Sequence, residues 1–89
     1  MSLDISKIYM IKNKTKSFTP ETLVRFVTCS YSGNCYLVEN LKDDEQREWI
    51  MYWDIFPLDW THRVKGVRFY FDEVVYNKAH ALLKDHQAL

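Results

Sequence analysis

All three tryptophans of the chain, Trp49, Trp53 and Trp60, fall within residues 47–60, REWIMYWDIFPLDW, together with Tyr52 and Phe56. No other stretch constrains the fold as strongly. An 89-residue chain buries only a modest core, so side chains of this size must be core, binding surface, or both. Two arrangements divide them differently. As a helix entered at Asp43, with Gln46 three residues on in the manner of a capping box, the segment puts Trp49, Tyr52, Trp53 and Phe56 on one face. That helix ends at Phe56, because Pro57 disfavours helix before it. As a strand, Trp49, Met51, Trp53 and Ile55 face one way, and Ile50, Tyr52, Asp54 and Phe56 the other. The β-propensity of tryptophan, tyrosine and isoleucine favours the strand. One face then needs a covering helix or a partner.

The rest of the chain supplies the elements around it. KIYMIK, residues 7–12, alternates and reads as a strand, followed by the polar loop NKTKS. Thr19-Pro20 resembles a helix start, with Phe18 stapled onto Leu23, but LVRFVT is rich in β-branched residues. A hairpin of residues 22–31 and 35–40 is the preferred reading. Gly33-Asn34 forms its two-residue turn, with positive φ at Gly33 and Tyr31 opposite Tyr36. RVKGVRFYF, residues 63–71, predicts a strand with a bulge at Gly66. Asp72 then caps a helix over about 73–87, whose apolar stripe is Val75, Ala79, Leu82, Leu83 and His86.

These elements predict a single α+β domain: a small antiparallel meander of four to five strands with a C-terminal α-helix. The order of strand, hairpin, charged excursion and a strand closing on Asp54-Ile55-Phe56-Pro57-Leu58 resembles small SH3-like barrels over about half the chain. That resemblance implies a partly closed barrel.

Charge is neutral in sum, with twelve basic and twelve acidic residues, but uneven. Residues 1–30 carry five basic and two acidic side chains, residues 31–60 two and seven, and residues 61–89 five and three. Neutrality argues against broad binding to nucleic acid. A basic face of Lys12, Lys14, Lys16, Arg25, Arg63, Lys65 and Arg68, with aromatics for stacking, is the alternative that keeps nucleic acid in play. Cys29 and Cys35 are not opposite each other in the predicted hairpin, so they read as reduced structural thiols. With no signal-like or membrane-length apolar run, the expectation is a cytoplasmic protein.

The motifs of catalysis are missing. No nucleophile elbow, CxxC knuckle or glycine-rich phosphate loop occurs, and the expectation is no metal and no cofactor. Asp54, Asp59 and His62 are the nearest approach to an acid–base site, and an enzyme built on them is a further alternative. Interface cores enrich tryptophan, tyrosine, methionine and arginine. The preferred reading is therefore a non-enzymatic interaction module or small regulator, with an inhibitor from a virus or mobile element as one option. It binds a protein partner, with a second copy of the chain as one option, through Trp49, Tyr52, Trp53, Phe56 and Trp60. Asp54, Asp59 and Arg47 form the rim.

Overall fold

The computed structural model describes residues 4–59 and 71–87. Five strands form one antiparallel sheet: β1 (Ile8–Ile11), β2 (Leu23–Cys29), β3 (Cys35–Asn40), β4 (Asp43–Met51) and β5 (Ile55–Pro57), in the order β4-β3-β2-β1-β5. The first four strands make a meander, and β5 returns to the far side of β1. The helix α1 spans Glu73–Gln87. This is the predicted α+β fold, but the sheet does not close into a barrel. Its edges, β4 and β5, adjoin in sequence and lie at opposite ends of the sheet. Only the short 3₁₀ turn Tyr52–Asp54 separates them in the chain, and β5 has three residues. Of the predicted strand 63–71, only Phe71 lies among the described residues, in the irregular stretch before α1.

Every residue of β1 is buried, as expected of a strand inside a sheet covered on both sides. Alternation divides the residues of the sheet between two faces. Tyr9, Ile11, Val24, Tyr36, Val38, Ile50 and Ile55 share one core with Phe18, and Phe26, Cys29 and Tyr52 pack against it. The connection from β1 to β2 straps this face shut. Phe18 enters the core, the Thr15 hydroxyl and Ser17 N–H donate to Glu48 at 2.8 and 2.7 Å, and the Gln46 amide donates to the Ser17 carbonyl. Tyr9, Phe26 and Tyr36 meet at tilted or edge-on angles, with centroids 5.8–6.4 Å apart. Offset and edge-on geometry of this kind is what aromatic quadrupoles prefer.

The helix packs on the other face. Ala79 and Leu83 join Ile8, Met10 and Leu58, with Leu23, Leu41, Val75 and Leu82 around them. The predicted cap is present: the Asp72 carboxylate accepts from the N–H groups of Val74 and Val75 at 3.0 and 3.2 Å.

Two helical alternatives fall away, and one expectation, the two-residue hairpin turn, is corrected. Residues 19–22 form a turn, not a helix start; Glu21 takes φ 70° there, and the Thr22 hydroxyl donates to the Thr19 carbonyl at 2.8 Å. The β2–β3 hairpin pairs Cys29 with Tyr36, so Tyr31 is not opposite Tyr36 and the loop is wider than two residues. Gly33 does take a positive φ, 81°, and its N–H donates to the Ser30 carbonyl at 2.9 Å. Finally, Asp43 begins a strand and caps no helix; its carboxylate accepts from the Glu45 N–H.

Candidate functional site

The aromatic segment starts as a strand, but the strand parity does not run through it. The 3₁₀ turn interrupts the alternation, so Ile55 joins the same core as Ile50 and does not share a face with Trp49. Register puts Trp49 opposite Leu37 and Met51 opposite Cys35, on the helix side of the sheet. Trp49 keeps 52% of its surface exposed. Trp53, in the turn, keeps 53% exposed and meets Tyr52 edge-on at 5.2 Å. Tyr52 is half-buried against the strapped core. Phe56, opposite Met10, is buried and offers no surface, so it leaves the proposed contact set for the core. Trp60 lies outside the described residues.

Of the rim residues, Asp54 is half-buried, and its carboxylate accepts from the Asn13 amide at 3.0 Å. Its carbonyl accepts from the Lys12 N–H at 2.8 Å, anchoring the turn to the end of β1. Asp59 is half-buried and helps push the Tyr9 phenol upward, after burial, Tyr36 and Cys29.

The helix covers only part of its face. Leu37, Cys35, Met51 and Trp49, on the β3–β4 half, lie outside the cluster that α1 packs on. Beside them stands an ion triad that sequence reasoning missed. Glu39, its side chain only 10% exposed, lies between Arg25 of β2 and Arg47 of β4, with contacts of 3.1 Å to each. The cross-strand register Arg25–Glu39–Arg47 produces it. The alternating glutamate of CYLVEN was its signal, readable only once the bulge between Phe26 and Thr28 fixed the pairing. Two guanidinium groups converge on this buried carboxylate, which holds both of them in place.

The described members of the basic set predicted for nucleic acid do not share one face. Lys12, Lys14 and Lys16 are exposed on the β1–β2 connection, which crosses the strapped face. Arg25 stands on the opposite face, committed to Glu39. Arg63, Lys65 and Arg68 lie outside the described residues, as does His62.

Both cysteines are free thiols. Among the described residues, no three His, Cys, Asp or Glu side chains gather in a way that could hold a metal, and no helix is long and apolar enough to cross a membrane. A cavity of about 420 Å³ opens between α1 and the β3–β4 turn, over Leu23, Leu41 and Leu82. Glu21, Asp85, Lys42 and His86 also line it. Comparison with protein-family models, with curated proteins and with solved structures gives no match.

Proposed function

We infer that the protein is a non-enzymatic interaction module that binds a protein partner through the exposed aromatic surface around Trp49 and Trp53. One observation carries this reading. Both tryptophans are more than half exposed, while Ile50, Ile55 and Phe56 around them are buried. A small chain short of core material gains nothing for folding by leaving indole surface in water. Tryptophan and arginine are the side chains that most often dominate binding energy at interfaces, and Arg47 stands two residues from Trp49 on the same face.

The test is affinity capture from native extract with the intact chain and with Trp49→Ser and Trp53→Ser. A dominant interface tryptophan is worth about 2 kcal/mol or more. A protein retained by the intact chain should therefore be lost from at least one variant, with circular dichroism unchanged. Equal retention by all three proteins would reject the reading. So would unfolding of both variants, because the indoles would then be structural.

A further inference from the structure

The outer edge of β4, unpaired among the described residues, adds a second kind of recognition to the exposed tryptophan. In an antiparallel ladder, backbone groups point alternately toward and away from the neighbouring strand. The Tyr52 N–H donates to the Asn34 carbonyl at 3.0 Å, just beyond the Cys35–Met51 pair. Counting back in steps of two, Ile50 and Glu48 also bond toward β3. On the other side of β3, the Ser30 N–H donates to the Cys35 carbonyl, so Cys35 and Leu37 turn toward β2 and leave Tyr36 and Val38 for β4. The N–H and C=O groups of Arg47, Trp49 and Met51 therefore point out of the sheet. Among the described residues no strand pairs with that edge.

The same three residues carry their side chains on the helix side of the sheet, on the β3–β4 half that lies outside the cluster α1 packs on. Backbone edge and side-chain row coincide. An exposed edge is a template for an added strand, and natural proteins blunt such edges with charge or bulges. Here the register irregularity next to Asn40 and the acidic Asp43, Asp44 and Glu45 protect only the first half of β4. The second half is straight in register from Arg47 to Met51.

We propose that the edge from Arg47 to Met51 accepts an extended segment of a partner protein as a sixth strand, with an acidic side chain beside Arg47 and an apolar one, two residues away, beside Trp49. This rests on the protein-binding reading and names the partner's chemistry. Residues two apart on a strand share a face, so the Arg47–Trp49 spacing is matched by an acidic–x–apolar spacing in the segment. Arg25 and Arg47 share the single carboxylate of Glu39, leaving one net positive charge in the triad, and the Arg47 Nε also donates to the Asp44 carbonyl at 3.0 Å. That charge suits a single acidic side chain. A polyanion running along the same edge would meet Asp43, Asp44 and Glu45, which disfavours nucleic acid here.

The test uses the full chain and a short blocked peptide with glutamate and leucine in that spacing, followed by amide NMR and hydrogen exchange. Binding should slow exchange at the amides of Arg47, Trp49 and Met51 at least tenfold at saturation. N-methylation of the peptide on its bonded edge should abolish this, and methylation on the opposite edge should not. Lysine in place of the glutamate should weaken binding at least tenfold. If both methylated peptides bind alike, or if the peptide leaves these amides unprotected while Trp49→Ser still loses a captured protein, strand addition is wrong and the protein-binding reading stands. If mixed-sequence single-stranded DNA protects the edge and the peptide does not, both are wrong.

Discussion

On one face of the sheet Tyr9, Val24, Tyr36 and Val38 have no solvent contact; on the other, one position away in the ladder, Trp49 keeps half of its surface in water. Tyr36 pairs with Ile50, and Leu37 pairs with Trp49, so adjacent rungs of the same two strands end in opposite environments. Residue type does not explain the contrast, since both sides are aromatic. The difference lies in what crosses over each face. The strap of residues 15–18, tied to Gln46 and Glu48, closes the first. On the second, the helix packs over Ile8, Met10, Leu23, Leu41 and Leu58, a cluster that does not include Trp49. A β-rich chain this small can thus hold a closed core and half-exposed tryptophans by covering its sheet unequally.

Truncation should break that contrast most sharply. Tyr36→Ala removes a ring that contacts Tyr9 and Phe26, and large-to-small changes at buried aromatics cost about 3–5 kcal/mol. Leu83→Ala under the helix should cost less, about 2–3 kcal/mol, since Leu83 keeps slight exposure at the end of its cluster. Urea titrations of both variants check the order. A larger loss for Leu83 would mean that the helix, not the strapped face, carries most of the stability.

A second difference between the faces appears with alkali. Burial pushes the Tyr36 phenol up to about 12, with the nearby Cys29 adding to the shift, and Tyr9 is also raised by its burial. From the ordinary tyrosine range near pH 10 upward, the unfolded chain releases these protons while the folded chain retains them. The unfolded state then binds fewer protons, so stability falls as pH rises. The contribution is intact below pH 10 and is lost progressively as pH climbs from 10 toward 12. Tyr36→Phe removes one of the two groups, and its stability should fall less steeply over that window. An unchanged slope would show that Tyr36 ionises freely in the folded chain.

How much of this was legible in the sequence follows from where each signal resides. The helix at 73–87 carried its own cap in Asp72 and its own stripe, and both are local. β1 and the hairpin were likewise readable from β-branched residues and Gly33. The sorting of the aromatics was not. It depends on a 3₁₀ turn at Tyr52–Asp54, stabilised by bonds to Asn34 and, through Asp54, to Lys12 and Asn13, which are far away in sequence. The hairpin register depended on serine hydroxyls. Ser30 and Ser32 accept from the N–H groups of Cys35 and Asn34, which favours a wider loop than Gly33-Asn34 alone demands. Strand parity forecast two alternative sets for exposure, Trp49 with Trp53 or Tyr52 with Phe56. Tertiary bonds to the turn put the two tryptophans outside and Phe56 inside.

The smallest expected effect concerns the open side itself. Trp49→Ser removes the largest described side chain on the β3–β4 half of that face, yet half of that side chain is already in water. Its buried half lies on an edge strand against Leu37, which keeps some exposure, so the void left behind opens to solvent and forms no closed cavity. The cavity penalty that enlarges core truncations therefore does not arise, and only part of the transfer term is lost. The expected cost is about 1 kcal/mol or less, several times below that of Tyr36→Ala. Thermal unfolding of the two variants side by side measures the ratio. A Trp49 variant as unstable as the Tyr36 variant would mean that the indole is a structural lid, and the exposed edge of β4 would lose its claim as a binding surface.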